Sequence, residues 1–138
     1  MLKPLRRSRW WLLLWWLAIL AVIVVCLMPP PALPSLPDNS DKIEHFLAYF
    51  LLAFGAVQLF SGFRSLLIAA SGLVALGIGI EFAQGMLTTT RSADIYDALA
   101  DTLGVLLGMA TVLTPWRDLL LRIEKRLPLS PKKTSGGA

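Results

Sequence analysis

The sequence has little charge and almost no cysteine or histidine, and each shortage excludes a class of protein or site. Only 16% of its 138 residues are charged, and its mean hydropathy is +0.66. Soluble domains are about a quarter charged, so this composition excludes a soluble domain and indicates an integral membrane protein. A single cysteine, Cys26, excludes a disulfide within the chain and a cysteine-based metal site. A single histidine, His45, excludes the paired-histidine motifs of many metalloenzymes.

Long apolar stretches predict an all-α integral membrane bundle of about four transmembrane helices. A helix needs about 20 apolar residues to cross the hydrocarbon core. The predicted helices are residues 10–28, 41–63, 66–87 and 95–113. The first begins with four tryptophans, which we expect at the headgroup interface.

The remaining segments complete a single transmembrane domain, residues 1–127. Five prolines between residues 29 and 37 predict an extended linker after the first helix. Residues 116–127 are basic and amphipathic, which is typical of a helix on the membrane surface. Residues 128–138 are expected to be a disordered tail.

Basic residues are distributed very unevenly between the predicted loops. The N-terminus, the turn that carries Arg64 and the C-terminal region together hold eleven, whereas the other side holds only Lys42 and Arg91. The positive-inside rule therefore predicts that both termini are cytoplasmic. The net charge of +4 then reflects orientation in the membrane, so nucleic acid is not an expected partner.

Ionisable residues inside the apolar stretches are the most informative feature of the chain. Glu81 and Asp101 lie within the third and fourth helices, and His45 lies near the start of the second. A carboxylate at bilayer depth costs roughly 2.5–3.5 kcal/mol on insertion scales, so such groups are usually functional. Both carboxylates are six residues from the outer ends of their helices, about 9 Å deep, and antiparallel neighbours would bring them to one level.

Helical spacing gathers further polar residues near the same outer ends. Residues four apart share a helix face, as Asp41, His45 and Tyr49 do. We hypothesise that these ends form a binding site, the outer polar cluster. Its predicted members are Asp41, Lys42, His45, Tyr49, Glu81, Gln84, Arg91, Ser92, Asp94, Asp97 and Asp101. A histidine with carboxylates suits a hard or borderline cation, but the pattern names no particular metal, cofactor or catalytic residue.

The same residues resemble the motifs of VanZ-like membrane proteins. Residues 41–49, D-K-I-E-H-F-L-A-Y, are similar to the family's D-K-x-x-H-F-x-x-Y opening. Residues 81–84, 91–97 and 102–108 are similar to its E-x-x-Q, R-S-x-D-x-x-D and T-L-G-x-x-x-G blocks. The matching region, about residues 41–108, is half of the chain. Two departures are Asp101, where the family usually has asparagine, and Thr89-Thr90, where it often has Pro-Gly.

The resemblance implies a multi-pass protein of the bacterial inner membrane that acts at the cell envelope. The family takes its name from a protein that gives low-level teicoplanin resistance. Expected partners are the lipid bilayer and a lipid-linked envelope precursor. The G-x-x-x-G spacing of Gly104 and Gly108 adds the prediction of a homo-oligomer.

Three classes of function remain open from the sequence. The first is a protein that binds or modifies an envelope component and so affects glycopeptide tolerance. The second is an intramembrane enzyme on a lipid-linked substrate, with Glu81 or His45 as general base or metal ligand. The third is a small ion or proton carrier.

Asp101 allows two interpretations of the cluster. Two carboxylates at one level do not both ionise readily unless Arg91, Lys42, His45 or a metal compensates. Either Asp101 is neutral and hydrogen-bonds as an asparagine would, or a cation shares the site. Because the family pattern has asparagine there, we expect the neutral form.

The first prediction is the topology. Reporter fusions at Ser40 and Thr89 should read external, and fusions at Gly62 and at the C-terminus should read cytoplasmic. A cytoplasmic signal at Thr89 would contradict the prediction, because the outer polar cluster would then face the wrong side of the membrane.

Overall fold

The computed structural model describes residues 1–28, 40–87 and 94–127, which form an all-α fold. Four of its helices are long and apolar enough to cross a membrane, so the chain is a multi-pass membrane protein. The predicted proline-rich linker and the disordered tail lie outside the described residues. The helices are α1 (Ser8–Leu27), α2 (Ser40–Leu59), α3 (Phe63–Leu87), α4 (Ile95–Ala110) and α5 (Leu119–Arg126).

The turn between α2 and α3 lies earlier in the chain than the sequence predicts. α2 ends at Leu59 rather than residue 63, and α3 begins at Phe63 rather than residue 66. Gly62 has φ +86°, a left-handed conformation that glycine adopts without steric strain. Arg64 is therefore in the first turn of α3. The end of the last predicted span also differs: α4 ends at Ala110 rather than residue 113, and a 3₁₀ turn at Thr111–Leu113 follows it.

α2 is the central helix of the bundle. It packs most extensively against α4 and also contacts α1 and α3. Tyr49, Ala53 and Val105 are fully buried at its centre. The outer faces of the helices carry exposed leucine, isoleucine and valine, a surface compatible with contact to a lipid bilayer.

Two glycines let α4 lie directly against the backbone of α2. A Cβ atom at Gly108 would lie 2.6 Å from both the carbonyl oxygen of Phe50 and the Cβ of Ala53. A Cβ at Gly104 would overlap the carbonyl oxygen of Phe46. The G-x-x-x-G spacing therefore serves packing within the chain, and a homo-oligomer would need another surface. Gly72 and Gly79 on α3, by contrast, are exposed.

We predict that Gly108→Ala destabilises the bundle by about 1–3 kcal/mol, because the new methyl group forces α2 and α4 apart. Gly72→Ala is the matched control, since a Cβ there meets no atom within 4 Å. It should be neutral or slightly stabilising, as alanine is the better helix former. Thermal unfolding in detergent measures both. Equal midpoints for the two variants would contradict the packing role of Gly108.

The N-terminus, the α2–α3 turn and α5 meet at the end of the bundle opposite the outer polar cluster. The backbone N–H of Lys3 donates to Leu59 at 2.8 Å, and Lys3 forms a 3.0 Å ion pair with Asp118. Gln58 donates to the Trp116 carbonyl at 3.1 Å and accepts from the N–H of Leu120 at 3.1 Å. This arrangement places the basic segments at one end of the bundle; the side of the membrane that this end faces stays a prediction.

Glu124 attaches α5 to the start of α1. Its carboxylate accepts hydrogen bonds from the backbone N–H groups of Arg6 and Arg7, at 2.6 and 3.2 Å, and from the Trp11 indole at 2.6 Å. Burial raises the pKa of Glu124, but these donors outweigh burial and hold the pKa below its ordinary value. The amphipathic helix predicted from the sequence is thus bonded to α1; its position on the membrane surface stays a prediction.

We predict that Glu124→Gln lowers the free energy of unfolding by about 1–3 kcal/mol at neutral pH. The neutral glutamine amide has one accepting oxygen, so it cannot replace the two charged oxygens that accept three hydrogen bonds in the wild type. A lowered pKa stabilises the fold above the ordinary value of 4.5, and this stabilisation is lost as the pH falls through the folded-state pKa. The difference in the free energy of unfolding between wild type and variant should therefore become smaller below pH 4.5. A difference that is constant from pH 7 to pH 3 would contradict the role of the charge. Glu44→Gln, at an exposed position, is the control.

Candidate functional site

Three ionisable side chains from three different helices meet inside the bundle. His45 comes from the second turn of α2, Glu81 from the last two turns of α3 and Asp101 from the second turn of α4. Each is buried, with 6%, 6% and 1% of its surface exposed. One donor atom from each lies within 4.8 Å of the other two. We refer to these three residues as the buried triad.

His45 and Asp101 form the closest pair in the buried triad. The Nδ1 atom of His45 is 3.1 Å from Oδ1 of Asp101. This distance fits an imidazole N–H that donates to a carboxylate, and it fits a protonated carboxyl that donates to the ring nitrogen. The expectation of a neutral Asp101 therefore stays a prediction.

Several polar atoms around the triad have no hydrogen-bond partner among the described residues. They are Oε1 of Glu81, Oδ2 of Asp101, the hydroxyl of Tyr49 and Oδ1 of Asp97. Oδ1 of Asp97 is 3.4 Å from the Lys42 ammonium, and Tyr49 lies one helical turn after His45. Gly77 makes room for the unpartnered oxygen of Asp101, since a Cβ there would lie 2.7 Å from it. Buried polar groups are nearly always satisfied, so these atoms indicate a place for a ligand, an ion or water.

A second group of charges lies closer to the helix ends and centres on Lys42. Its ammonium group is 3.0 Å from Asp94, 3.4 Å from Asp97 and 3.7 Å from Asp41. Asp94 also caps α4 by accepting from the N–H of Tyr96 at 2.9 Å. That backbone bond and then the Lys42 pair hold the pKa of Asp94 below its ordinary value.

Asp94 connects the two groups. Its backbone N–H donates to Oε2 of Glu81 at 2.9 Å, which leaves the second oxygen of Glu81 for the triad. The cap of α4 therefore orients the glutamate of α3. A residue that the sequence placed in the cluster for its carboxylate acts here through its backbone as well.

The predicted cluster thus consists of two groups, one closer to the helix ends and one buried between the helices. Asp41, Lys42, Asp94 and Asp97 form the outer ion-pair group, whereas His45, Glu81 and Asp101 form the buried triad. Gln84 is buried but donates to the carbonyl of Cys26 at 2.8 Å, which connects α3 to α1. The predicted members Arg91 and Ser92 lie outside the described residues.

A cavity between α1 and α2 reaches the site from the side. Its volume is about 250 Å³, and its lining includes His45, Tyr49, Glu44 and Cys26. Neither Glu81 nor Asp97 is among the described residues that line it. The sequence carried no signal for this cavity, because helical periodicity does not say which neighbour a face meets.

No family model, curated protein or solved structure matches this chain. The resemblance to VanZ-like proteins therefore depends on the sequence blocks alone. What the chain can do chemically depends on the triad: a histidine beside a carboxylate can hold or move a proton, and a histidine with two carboxylates can bind a cation.

Proposed function

We propose that this chain is a VanZ-like protein of the bacterial inner membrane that binds or modifies a cell-envelope component at its outer polar cluster. The observation that carries the proposal is the buried triad with its unpartnered oxygens. Ionisable groups inside a membrane-spanning bundle are costly and are usually retained for function. The blocks that resemble the family contribute His45 and Glu81, and Asp101 directly precedes the fourth block, at the position where the family usually has asparagine.

The charges of the described residues indicate which chemical groups the site recognises. Five carboxylates face one lysine and one histidine, namely Asp41, Glu81, Asp94, Asp97 and Asp101 against Lys42 and His45. Such a site disfavours direct contact with a bare phosphate. It favours amino and hydroxyl groups, such as those of a cell-wall sugar or peptide, or an anionic group held through a cation.

The cavity supplies the route for such a ligand. It lies at the end of the bundle where α2 begins. Its walls are mostly apolar, and its polar lining residues on α2 are Asp41, Glu44, His45 and Tyr49. A lipid-linked precursor has the matching form, with an apolar chain for the bilayer and a polar headgroup for the cluster.

An intramembrane enzyme is the second candidate, and the His45–Asp101 pair favours it. A carboxylate that orients an imidazole 3.1 Å away is the arrangement a general base requires. His45 also lines the cavity, so a bound headgroup would reach its ring.

We predict that Glu81→Gln and Arg91→Ala abolish function while the protein still accumulates in the membrane. In a teicoplanin-susceptible bacterium, wild-type protein should raise the minimum inhibitory concentration above that of cells with an empty vector. Glu81→Gln should remove this increase, because the amide loses the charge that the site uses. Membrane abundance is measured in parallel by immunoblot, because a substitution at a buried carboxylate that accepts a hydrogen bond also lowers stability.

The control for this prediction is Asp118→Asn, a carboxylate-to-amide substitution at the opposite end of the bundle, where Asp118 pairs with Lys3. It should keep full tolerance. Normal tolerance in Glu81→Gln cells would show that the glutamate is structural only, and no increase with wild-type protein would contradict the glycopeptide role.

A further inference from the structure

We propose that His45, Glu81 and Asp101 bind one divalent transition-metal ion, Mn²⁺ or Zn²⁺, between α2, α3 and α4. This inference goes beyond the envelope role proposed above and does not depend on it. It adopts the second interpretation of Asp101, in which a cation shares the site, in place of the neutral form expected from the family pattern. The buried triad alone carries it, through its geometry, its unpartnered oxygens and its charge.

The spacing of the three donors fits one ion. Their ligand atoms all lie within 4.8 Å of one another. Ligands at about 2.1 Å from an ion in tetrahedral geometry are about 3.4 Å apart. The three donors are therefore close to coordination distance, and side-chain rotations would bring them together around an ion.

The unpartnered oxygens are an independent indication of a ligand. Within the described ranges, Oε1 of Glu81 and Oδ2 of Asp101 have no hydrogen-bond partner, although both residues are more than nine-tenths buried. The other oxygen of Glu81 accepts from the Asp94 N–H at 2.9 Å, so Glu81 is oriented through one oxygen and offers the other, which is how metal-ligating carboxylates are commonly held. The other oxygen of Asp101 is 3.1 Å from Nδ1 of His45, a contact that coordination of both side chains to one ion would replace.

Charge balance favours a divalent ion at this depth. Two carboxylates and a neutral imidazole carry a charge of −2, and a divalent ion makes the assembly neutral. A neutral assembly avoids most of the penalty for charge inside a bilayer. Without an ion the two carboxylates repel each other, and Lys42 is already shared by three other aspartates.

The donor types select the metal. Imidazole suits zinc, iron, copper and nickel, whereas carboxylates suit manganese, magnesium and calcium, so a mixed set favours a borderline ion. Calcium would require six to eight oxygens, and magnesium prefers oxygen ligands and its own waters. Three protein ligands leave coordination positions open for water or for an oxygen of a bound headgroup.

The decisive measurement is metal binding by the purified full-length protein, without a histidine tag, in detergent micelles. MnCl₂ titration followed by the paramagnetic signal of free Mn²⁺, and ZnCl₂ titration against a chromophoric chelator, should each give one ion per chain. Glu81→Gln and Asp101→Asn should each weaken binding by at least about tenfold. Asp118→Asn, a carboxylate-to-amide substitution at the opposite end of the bundle, should bind like wild type.

Stability provides a second measurement if a variant accumulates poorly. Saturating Mn²⁺ or Zn²⁺ should raise the unfolding temperature of wild type and of Asp118→Asn, because an ion that binds only the folded state stabilises it. The absence of saturable binding to wild type would overturn the proposal. Unchanged affinity in Asp101→Asn would also overturn it and would support a neutral Asp101.

These outcomes are separate from those of the envelope proposal. Metal binding is measured on purified protein without any antibiotic, whereas tolerance is measured in cells. Metal binding with no effect on tolerance would leave the metal site standing and contradict only the glycopeptide role.

Discussion

Gly104 and Gly108 allow the backbone of α4 to lie directly against α2, and this close contact sets the geometry of the candidate site. Phe46 and Phe50 contribute the backbone atoms that α4 meets. His45 precedes Phe46 on α2, and Asp101 lies one turn before Gly104 on α4. The 3.1 Å distance between His45 and Asp101 therefore depends on how closely the two backbones approach. A larger residue at either glycine would move the two helices apart and so would also separate His45 from Asp101.

Glu81 reaches the same place through a different contact. Gly77, one turn earlier on α3, lies against the carboxylate of Asp101 and so allows α3 to approach α4. The N–H of Asp94 then orients the glutamate. The three helices thus converge because small residues lie next to the functional ones. In lipid no hydrophobic force drives helices together, so close packing at small residues contributes to their association.

Buried carboxylates at the two ends of the bundle differ in how completely they are hydrogen-bonded. At the outer end, Lys42 serves several aspartates and the triad lies deeper, with unpartnered oxygens. At the opposite end, Glu124 is also buried, but three donors from the start of α1 satisfy it. Its role is therefore structural, whereas the incomplete satisfaction of Glu81 and Asp101 is what indicates binding.

The sequence by itself determined the membrane class, the number of long apolar helices and the positions of Glu81 and Asp101 within those helices, because hydropathy and helical rise are local properties. It predicted that the four tryptophans of α1 lie at a headgroup interface, and the structure adds that Trp11 and Trp15 bond to Glu124 and to the carbonyl of Leu52. It also predicted a homo-oligomer through Gly104 and Gly108, which in the structure contact α2 of the same chain. Only the tertiary structure decided these partners, the 3.1 Å His45–Asp101 pair and the cavity beside His45. Helical periodicity says which residues share a face, but the packing of the whole bundle decides which other helix that face meets.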